Sequence, residues 1–550
     1  MPSQRQENIY AYSEFDITAV LRLAERIRGQ PCNCDQSQRP ASGAFNWAIF
    51  LRFQDGVEWV FRSPHQNRFA SSDVTLASNV LASEVAAMKF VRGNTSIPIP
   101  EVFHYCTDKS NDVGVPYILM SKASGIALAA HDWQAQRLSS PQHTLQTQPR
   151  KTMHHDDRMK VMQQLGYYSS QLYQLRFPSI GSLFEGADGA FGIQQCFSPG
   201  HLFEGRDSIQ EITRGPFTSS REFYTSLVAA LQLHAEQLSM GHHLFMAPIP
   251  VPQEYTNISD YLLATDSWND FAILGGKVES SENRLQYSIT GHFLRDAIIH
   301  LLTGEREEQG VGFPLCHPDL SDQNIFIDEE FNITCIIDWA FSFTVPPAQL
   351  CTAPGLPHPR DVVTDPRLHD AYRDGFSYDA NADRDSFSHD AHTCVQSNPL
   401  PRDWNTGAAI SRFLRIVYMD SLQDYHHLEA LCALCFDGKP FDLPSILSRQ
   451  ALTPDAINLR ELLAADDDPQ ELTRRRDTEY FQAVGPTRLA VARKLTLAYE
   501  RNARFVADYR LWKWVGAVYR SSLESCVRED CYRLESRLRG RTTRQVELAA

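Results

Sequence analysis

His317-Pro318-Asp319-Leu320, then Asn324, then Ile336-Ile337-Asp338-Trp339, set two carboxylates and a carboxamide at a spacing suited to group transfer from a nucleoside triphosphate. A His-x-Asp-Leu-x-x-x-Asn run has the spacing of a phosphoryl-transfer catalytic loop. In such a loop the Asp accepts the proton of the attacking hydroxyl. The Asn holds magnesium, and a later Asp holds magnesium against the phosphates. Those roles fall on Asp319, Asn324 and Asp338. Taken singly, Asp and Asn beside turns cap or bend the backbone more often than they do chemistry. The joint spacing carries the reading, and His317 is assigned to organising the loop backbone.

The elements around these residues must bring the two magnesium ligands together. Ile325-Phe326-Ile327 and Ile333-Thr334-Cys335-Ile336-Ile337 are short β-prone runs separated by the polar segment Asp328–Asn332. Together they predict a hairpin. Asn324 then opens one strand and Asp338 closes the other, so both oxygen ligands reach the same end. Magnesium prefers such hard oxygen donors and completes its shell with water and phosphate.

The run Cys316–Ile327 with Ile336–Trp339 resembles the aminoglycoside phosphotransferase/choline kinase-like phosphotransferase family, and more narrowly its fungal branch. The resemblance covers roughly residues 40 to 440. It implies an α+β, protein-kinase-like bilobal fold: a small β-rich N-lobe, a hinge, and a larger, mainly α-helical C-lobe. It also implies ATP and Mg2+ as cofactors and leaves the acceptor unnamed.

The N-terminal part fits that expectation. Ala41–Phe53 reads as a glycine-containing turn and a strand, Gln54-Asp55-Gly56 as a hairpin turn, and Val57–Arg62 as the returning strand. The resemblance implies that Ser42 and Gly43 form the turn over the nucleotide phosphates and that Arg62 is the cation contacting them. A small residue in such a turn lets backbone N–H groups approach phosphate. One glycine stands where a G-x-G-x-x-G loop has three, and Arg is not interchangeable with the Lys of protein kinases. Leu76–Val91 has helical apolar spacing. Glu84 on it would by itself be a solvated helix-face carboxylate; the resemblance implies that it pairs with Arg62. Pro116–Gly125 reads as a strand running into the hinge, whose backbone around Met120 to Lys122 would meet the adenine edge.

At 550 residues, with 43% hydrophobic and 22% charged residues, the chain has the composition of a globular protein with room for several units. A net charge of -15 argues against nucleic acid as partner, since phosphate binding needs a positive surface, and mildly favours neutral or cationic acceptors. No apolar run is long enough to cross a membrane, and the first residues lack the apolar core of a signal peptide. The scattered cysteines suit reduced thiols, and a cytoplasmic location is expected. The pairs Cys32/Cys34 and Cys432/Cys435 lack the second pair or histidine spacing of a zinc site.

The expected organisation is an N-terminal extension over 1–39 with a helix at Ile17–Arg28, an N-lobe over 40–121, and a C-lobe over 122–440. The C-lobe carries the catalytic loop 317–324 and a Gln/Ser/His/Thr-rich mobile insertion over 131–156. A helical C-terminal extension follows over 441–550. Helices are expected over 159–175, 211–240, 290–304, 410–435, 488–509 and 511–538, with a loop over 378–398. The proline-rich segment after Trp339 predicts a preset backbone without a phosphorylation switch. The combined expectation is transfer of the ATP γ-phosphoryl group to a small-molecule hydroxyl. A nucleotide-binding pseudokinase or scaffold, with a protein partner on the C-terminal helices, is the alternative. A protein kinase proper fits less well, because neither Asp-Phe-Gly nor Ala-Pro-Glu is present at the matching places.

Overall fold

A computed structural model describes residues 8–66, 69–70, 75–133, 151–238, 240, 281–302, 312–357, 365–377, 404–419, 424–435, 442–465 and 472. They form an α+β fold. Contact density divides the chain into two compact units. One comprises Met1–Leu238, Thr290–Ser421 and His427–Phe441, and the other Ser239–Ile289, Leu422–His426 and Asp442–Ala550. Everything that positions the site belongs to the first.

The N-terminal part is a six-stranded antiparallel sheet. Its strands are β1 (Cys32–Asn33), β2 (Ala41–Ser42), β3 (Asn46–Phe53), β4 (Glu58–Pro64), β5 (Val102–Cys106) and β6 (Tyr117–Ser121), paired β1-β3-β4-β6-β5 with β2 also on β3. Alternation decides the two faces. Trp47, Ile49, Leu51 and Phe53 of β3 join Trp59, Phe61, Tyr117 and Leu119 in one apolar cluster. Helix α1 (Ile17–Arg28) covers that face with Ile17, Val20, Leu23 and Ala24. The Asp16 carboxylate caps α1 by accepting from the Thr18 and Ala19 amides, and Gly29, at φ 71, ends it. Val60 and Arg62 alternate with Trp59 and Phe61 and so face the other way, Arg62 toward Glu84 of α2 (Leu76–Asn94) and toward Asp338.

The helical part begins after β7 (Ile126–Ala127). A short parallel pair follows, β8 (His131–Asp132) with β9 (Lys151–Thr152), and leads into α3 (His155–Gln174). Helix α3 packs on the helix Pro366–Phe376 so closely that a Cβ on Gly166 would strike the Tyr372 carbonyl, and one on Gly375 the Gln163 carbonyl. A hairpin of β10 (Ser182–Glu185) and β11 (Phe191–Gln194) precedes the short turn α4 (Pro199–Leu202) and helix α5 (Ser220–Gln237). β12 (Leu315–Cys316) leads into the 317–324 loop, and the predicted hairpin is β13 (Ile325–Ile327) with β14 (Ile333–Ile336). β15 (Phe343–Thr344) returns to pair with β12.

Several expectations need correcting. The helix expected over 211–240 starts only at Ser220, where Ser219 accepts from the Glu222 amide; Gly215 and Pro216 keep the preceding residues out of a helix. The helix expected to open at 290 opens at Ser281. The pattern over 410–435 is two helices, Trp404–Tyr418 and Asp424–Cys435, with Met419 at φ 53 ending the first. Of the 131–156 insertion, residues 131–133 and 151–156 are described, as the β8–β9 pair and the start of α3. Its remainder, the loop over 378–398 and the helices expected over 488–509 and 511–538 lie outside the described residues. The proline-rich segment after Trp339 is largely buried, running through β15 and a turn of 3-10 helix, Pro347–Leu350.

Candidate active site

The β13–β14 hairpin is closed by side-chain capping. The Asp328 carboxylate accepts from the amides of Glu330 (3.0 Å) and Asn332 (2.7 Å) and from Asn332 Nδ2 (2.9 Å). That turn sets the register Ile325↔Ile336, and the Ile337 N–H donates to the Asn324 carbonyl at 2.9 Å. Asn324 and Asp338 therefore emerge at one end of the hairpin.

The loop over 317–324 is organised from its own polar groups. Asn324 Nδ2 donates to the main-chain oxygen of Asp319 and to its Oδ2, both at 3.0 Å. Both amide hydrogens are thus directed to Asp319, and the amide oxygen is the end that remains for a cation. His317 Nδ1 accepts from the Asp319 amide at 3.2 Å. Its other nitrogen therefore carries the proton and donates to the Ile337 carbonyl at 3.0 Å. The buried ring packs edge-on to Trp339 with centroids 4.7 Å apart. Burial pushes the His317 pKa down to about 4, against the upward pull of the Ile337 carbonyl and Asp338, so the imidazole is neutral at neutral pH. His317 ties the Asp319 loop to the Asp338 segment.

Arg62, Glu84 and Asp338 meet although they come from β4, α2 and the residues after β14. Arg62 Nη2 forms an ion pair with Glu84 Oε2, and Nη1 lies 3.3 Å from Asp338 Oδ1. Glu84 is 3% exposed and Asp338 43%, so only the first pair is a desolvated one. Burial disfavours the Arg62 charge, but the two carboxylates outweigh it and hold the guanidinium protonated. Burial pushes the Glu84 carboxyl up, with Arg62 pulling against it. Asp338 sits at φ 63, a left-handed conformation that Asp tolerates better than most side chains.

The other sequence-predicted residues lie where expected in the chain but are engaged locally. Ser42 and Gly43 stand at the turn between β2 and β3. The Gly43 N–H is spent on the Asn46 carbonyl at 2.9 Å, and Ser42 Oγ lies 3.1 Å from His65 Nε2. A Cβ on Gly43 would meet nothing nearer than that carbonyl at 3.9 Å, so local packing does not demand glycine there. Met120 is inside the sheet, opposite Val60 on one side and Val102 on the other. The Ser121 amide donates to Glu101 O at 2.9 Å, and the Lys122 amide to Glu58 O at 3.4 Å. The amides of Ser121 and Lys122 are thus turned into the sheet, and Lys122 Nζ pairs with Glu58 at 2.6 Å.

Two aromatic residues at the site were not anticipated, Phe45 and Phe341. Phe45 could have been noticed as the bulky residue two places after Gly43. Phe341 carries no spacing signal, because its place depends on the left-handed bend in its own backbone, φ 62. Among the described residues no three His, Cys, Asp or Glu side chains gather as a metal site. The donors at the hairpin end suit magnesium instead: one carboxamide oxygen and one half-exposed carboxylate, a hard-oxygen pair whose shell water and phosphate would complete. No described helix is long and apolar enough to cross a membrane.

No family model matches the chain. A subtelomeric hrmA-associated cluster protein of Aspergillus fumigatus, found in two strains, is 31% identical over 192 residues, 33% of this chain and 33% of its own. The match thus spans about a third of the length of these curated relatives. Among solved structures, the macrolide 2'-phosphotransferase MphH of Brachybacterium faecium aligns over 78% of this chain and 100% of its own, at 14% identity and TM-score 0.34. A spectinomycin phosphotransferase in complex with ADP and spectinomycin aligns over 82% of this chain and 97% of its own, at 11% identity and TM-score 0.32.

Proposed function

We propose that this protein transfers the γ-phosphoryl group of ATP to a hydroxyl of a small molecule. The observation that carries the reading is the convergence of Asp319, Asn324, Asp338, Arg62 and Glu84 from four chain segments onto one hairpin end. Asp319, fixed by Asn324 and by the hydrogen bond its main-chain N–H donates to His317, accepts the proton of the acceptor hydroxyl as the hydroxyl oxygen bonds to the γ-phosphorus. The bond from that phosphorus to the β–γ bridging oxygen breaks, and ADP leaves. Arg62, steadied by Glu84, contacts the phosphate oxygens. The amide oxygen of Asn324 and the Asp338 carboxylate would hold Mg2+, which when bound neutralises phosphate charge. Catalysis rests on positioning and charge. Because the Ser121 and Lys122 amides are engaged in the sheet, the Ala123 N–H is the next donor in the chain for the adenine edge.

The aminoglycoside phosphotransferase-like family, its fungal branch and a cytoplasmic setting belong to this proposal, as does the division at 39/40, 121/122 and 440/441. A second reading, nucleotide binding without transfer, is favoured by one observation: the Gly43 N–H is already bonded within its turn. Purified protein incubated with labelled ATP, magnesium and a panel of small hydroxyl compounds separates the two. Label transfer abolished by Asp319→Asn supports the phosphotransferase. Magnesium-dependent ATP binding with no transfer to any panel member supports the second reading.

A further inference from the structure

Phe45, at the tip of the turn over the proposed phosphate site, is packed inward. Its ring stacks on Phe203 with centroids 4.9 Å apart and meets Phe341 edge-on at 4.8 Å; Phe203 and Phe341 meet edge-on at 4.9 Å. The three rings come from three separate chain segments, and each is held from behind. Phe341 occupies a left-handed conformation that a bulky residue keeps only where packing over-determines it. Phe203 enters from a bend at Glu204 (φ 57) and Gly205 (φ 84). The bend is anchored by Arg206, whose buried guanidinium donates to the carbonyls of Gly200 at 2.7 Å and Val417 at 2.6 Å. Phe45 O accepts from the His65 amide at 2.7 Å, and the Gly43 N–H closes the turn onto Asn46.

This packing leaves little space beside Arg62. The cavity bounded by Phe45, Arg62, His65, Phe69, Glu84 and Phe341 is about 30 Å³. That is room for about one water molecule, whereas small-molecule sites begin at about 300 Å³. A triphosphate that reaches Arg62 through this cavity must move Phe45 aside.

We infer that Phe45 is an intramolecular gate: docked on Phe203 and Phe341 it closes the phosphate end of the nucleotide site, and nucleotide binds only to molecules in which it has swung out. The inference rests on the nucleotide reading above and adds its regulation. Apparent affinity then falls with the fraction of molecules whose turn is open. Removing the ring, or the Phe203 surface it docks on, raises that fraction.

The full-length protein, Phe45→Ala and Phe203→Ala are compared in two measurements. In amide hydrogen exchange without nucleotide, residues 42–46 exchange faster in Phe203→Ala than in the wild type; unchanged exchange overturns the docked gate. In titration with AMP-PNP and magnesium, Phe45→Ala binds about tenfold more tightly, with a faster association rate; an equal or weaker constant overturns the gate alone. Binding by none of the three proteins overturns the nucleotide reading and the gate with it. If Phe45→Ala does not fold, Phe45→Leu, which keeps the apolar contact but shortens the reach, takes its place with the same expected direction.

Discussion

Arg62 Nη1 lies 3.3 Å from Asp338 Oδ1 while Nη2 of the same guanidinium is paired with buried Glu84, so one cation joins the sheet, helix α2 and the segment after the β13–β14 hairpin. The two halves of this bridge differ in strength. Stripping the partner from a desolvated charge costs about 3–5 kcal/mol, whereas a pair with a half-exposed carboxylate contributes about 0–1 kcal/mol. Glu84 is therefore the structural partner of Arg62 and Asp338 the exchangeable one. That leaves Asp338 available to a cation without dismantling the small sheet.

Arg62→Ala should lower unfolding free energy by about 3 kcal/mol, and Glu84→Gln added to it should recover part of the loss by removing the stranded carboxylate. Asp338→Asn, which removes the charge but keeps a side chain tolerated at φ 63, should cost less than about 1 kcal/mol. Urea unfolding of the three variants and the wild type checks the order. Equal losses in Arg62→Ala and Asp338→Asn would show that the two pairs do not differ as burial implies.

Asp319→Asn keeps an oxygen for Asn324 Nδ2 to donate to and removes only the capacity to take up a proton. Turnover should fall by about 100-fold or more, with melting temperature within a degree or two of the wild type. Asn324→Ala should lose turnover and also loosen the loop, because both hydrogen bonds to Asp319 disappear. Steady-state phosphate transfer alongside thermal unfolding separates the chemical loss from the structural one. Full activity in Asp319→Asn would remove this residue from the mechanism.

Local signals and long-range geometry were unequally legible in the sequence. The helix Ile17–Arg28 was readable to the residue because its cap, Asp16, and its stop, Gly29, are adjacent in the chain. The β13–β14 hairpin was readable because its turn chemistry, Asp328 to Asn332, is local. The Arg62–Glu84 contact followed from the resemblance and is present as an ion pair. The break between Tyr418 and Asp424 was not legible, since apolar periodicity continues across it while the first helix ends at a left-handed Met419. Nor was the use of the Ser121 and Lys122 amides, which depends on where β6 ends against Glu101 and Glu58. The Phe45–Phe203–Phe341 cluster was out of reach for the same reason. Its members are separated by most of a lobe and meet through two left-handed bends that spacing does not encode.

The contact between α3 and the helix Pro366–Phe376 gives a test of the scaffold behind the site. Gly166 and Gly375 each approach a carbonyl of the opposite helix, and neither has a positive φ, so the demand is steric. Gly166→Ala should destabilise by about 1–3 kcal/mol through forced separation of the helices, even though alanine is the better helix former. Thermal unfolding reads this as a fall of several degrees. A rise in melting temperature, as helix propensity alone would give, would show that the helices stand further apart.

His317 supplies the pH dependence. A histidine in the unfolded chain titrates near 6.5, and burial holds the folded one near 4. Between those values the unfolded state binds more protons. Stability contributed by the neutral ring is therefore complete above pH 6.5 and is lost as pH falls toward 4. From pH 7 to 5 the loss from this residue should be on the order of 1–2 kcal/mol. His201, buried and held near 3, contributes in the same direction. In His317→Gln the slope of unfolding free energy against pH should be shallower across this window but not flat, because His201 remains. The variant should also be less stable than the wild type at pH 7, having lost the bridge from Asp319 N–H to Ile337 O. Urea unfolding at half-unit steps from pH 7 to 4.5 measures both. An unchanged slope would mean that His317 takes up its proton in the folded protein as readily as in the unfolded chain. A ring protonated at Nδ1 could not accept from the Asp319 amide, and the 317–324 loop would need another support.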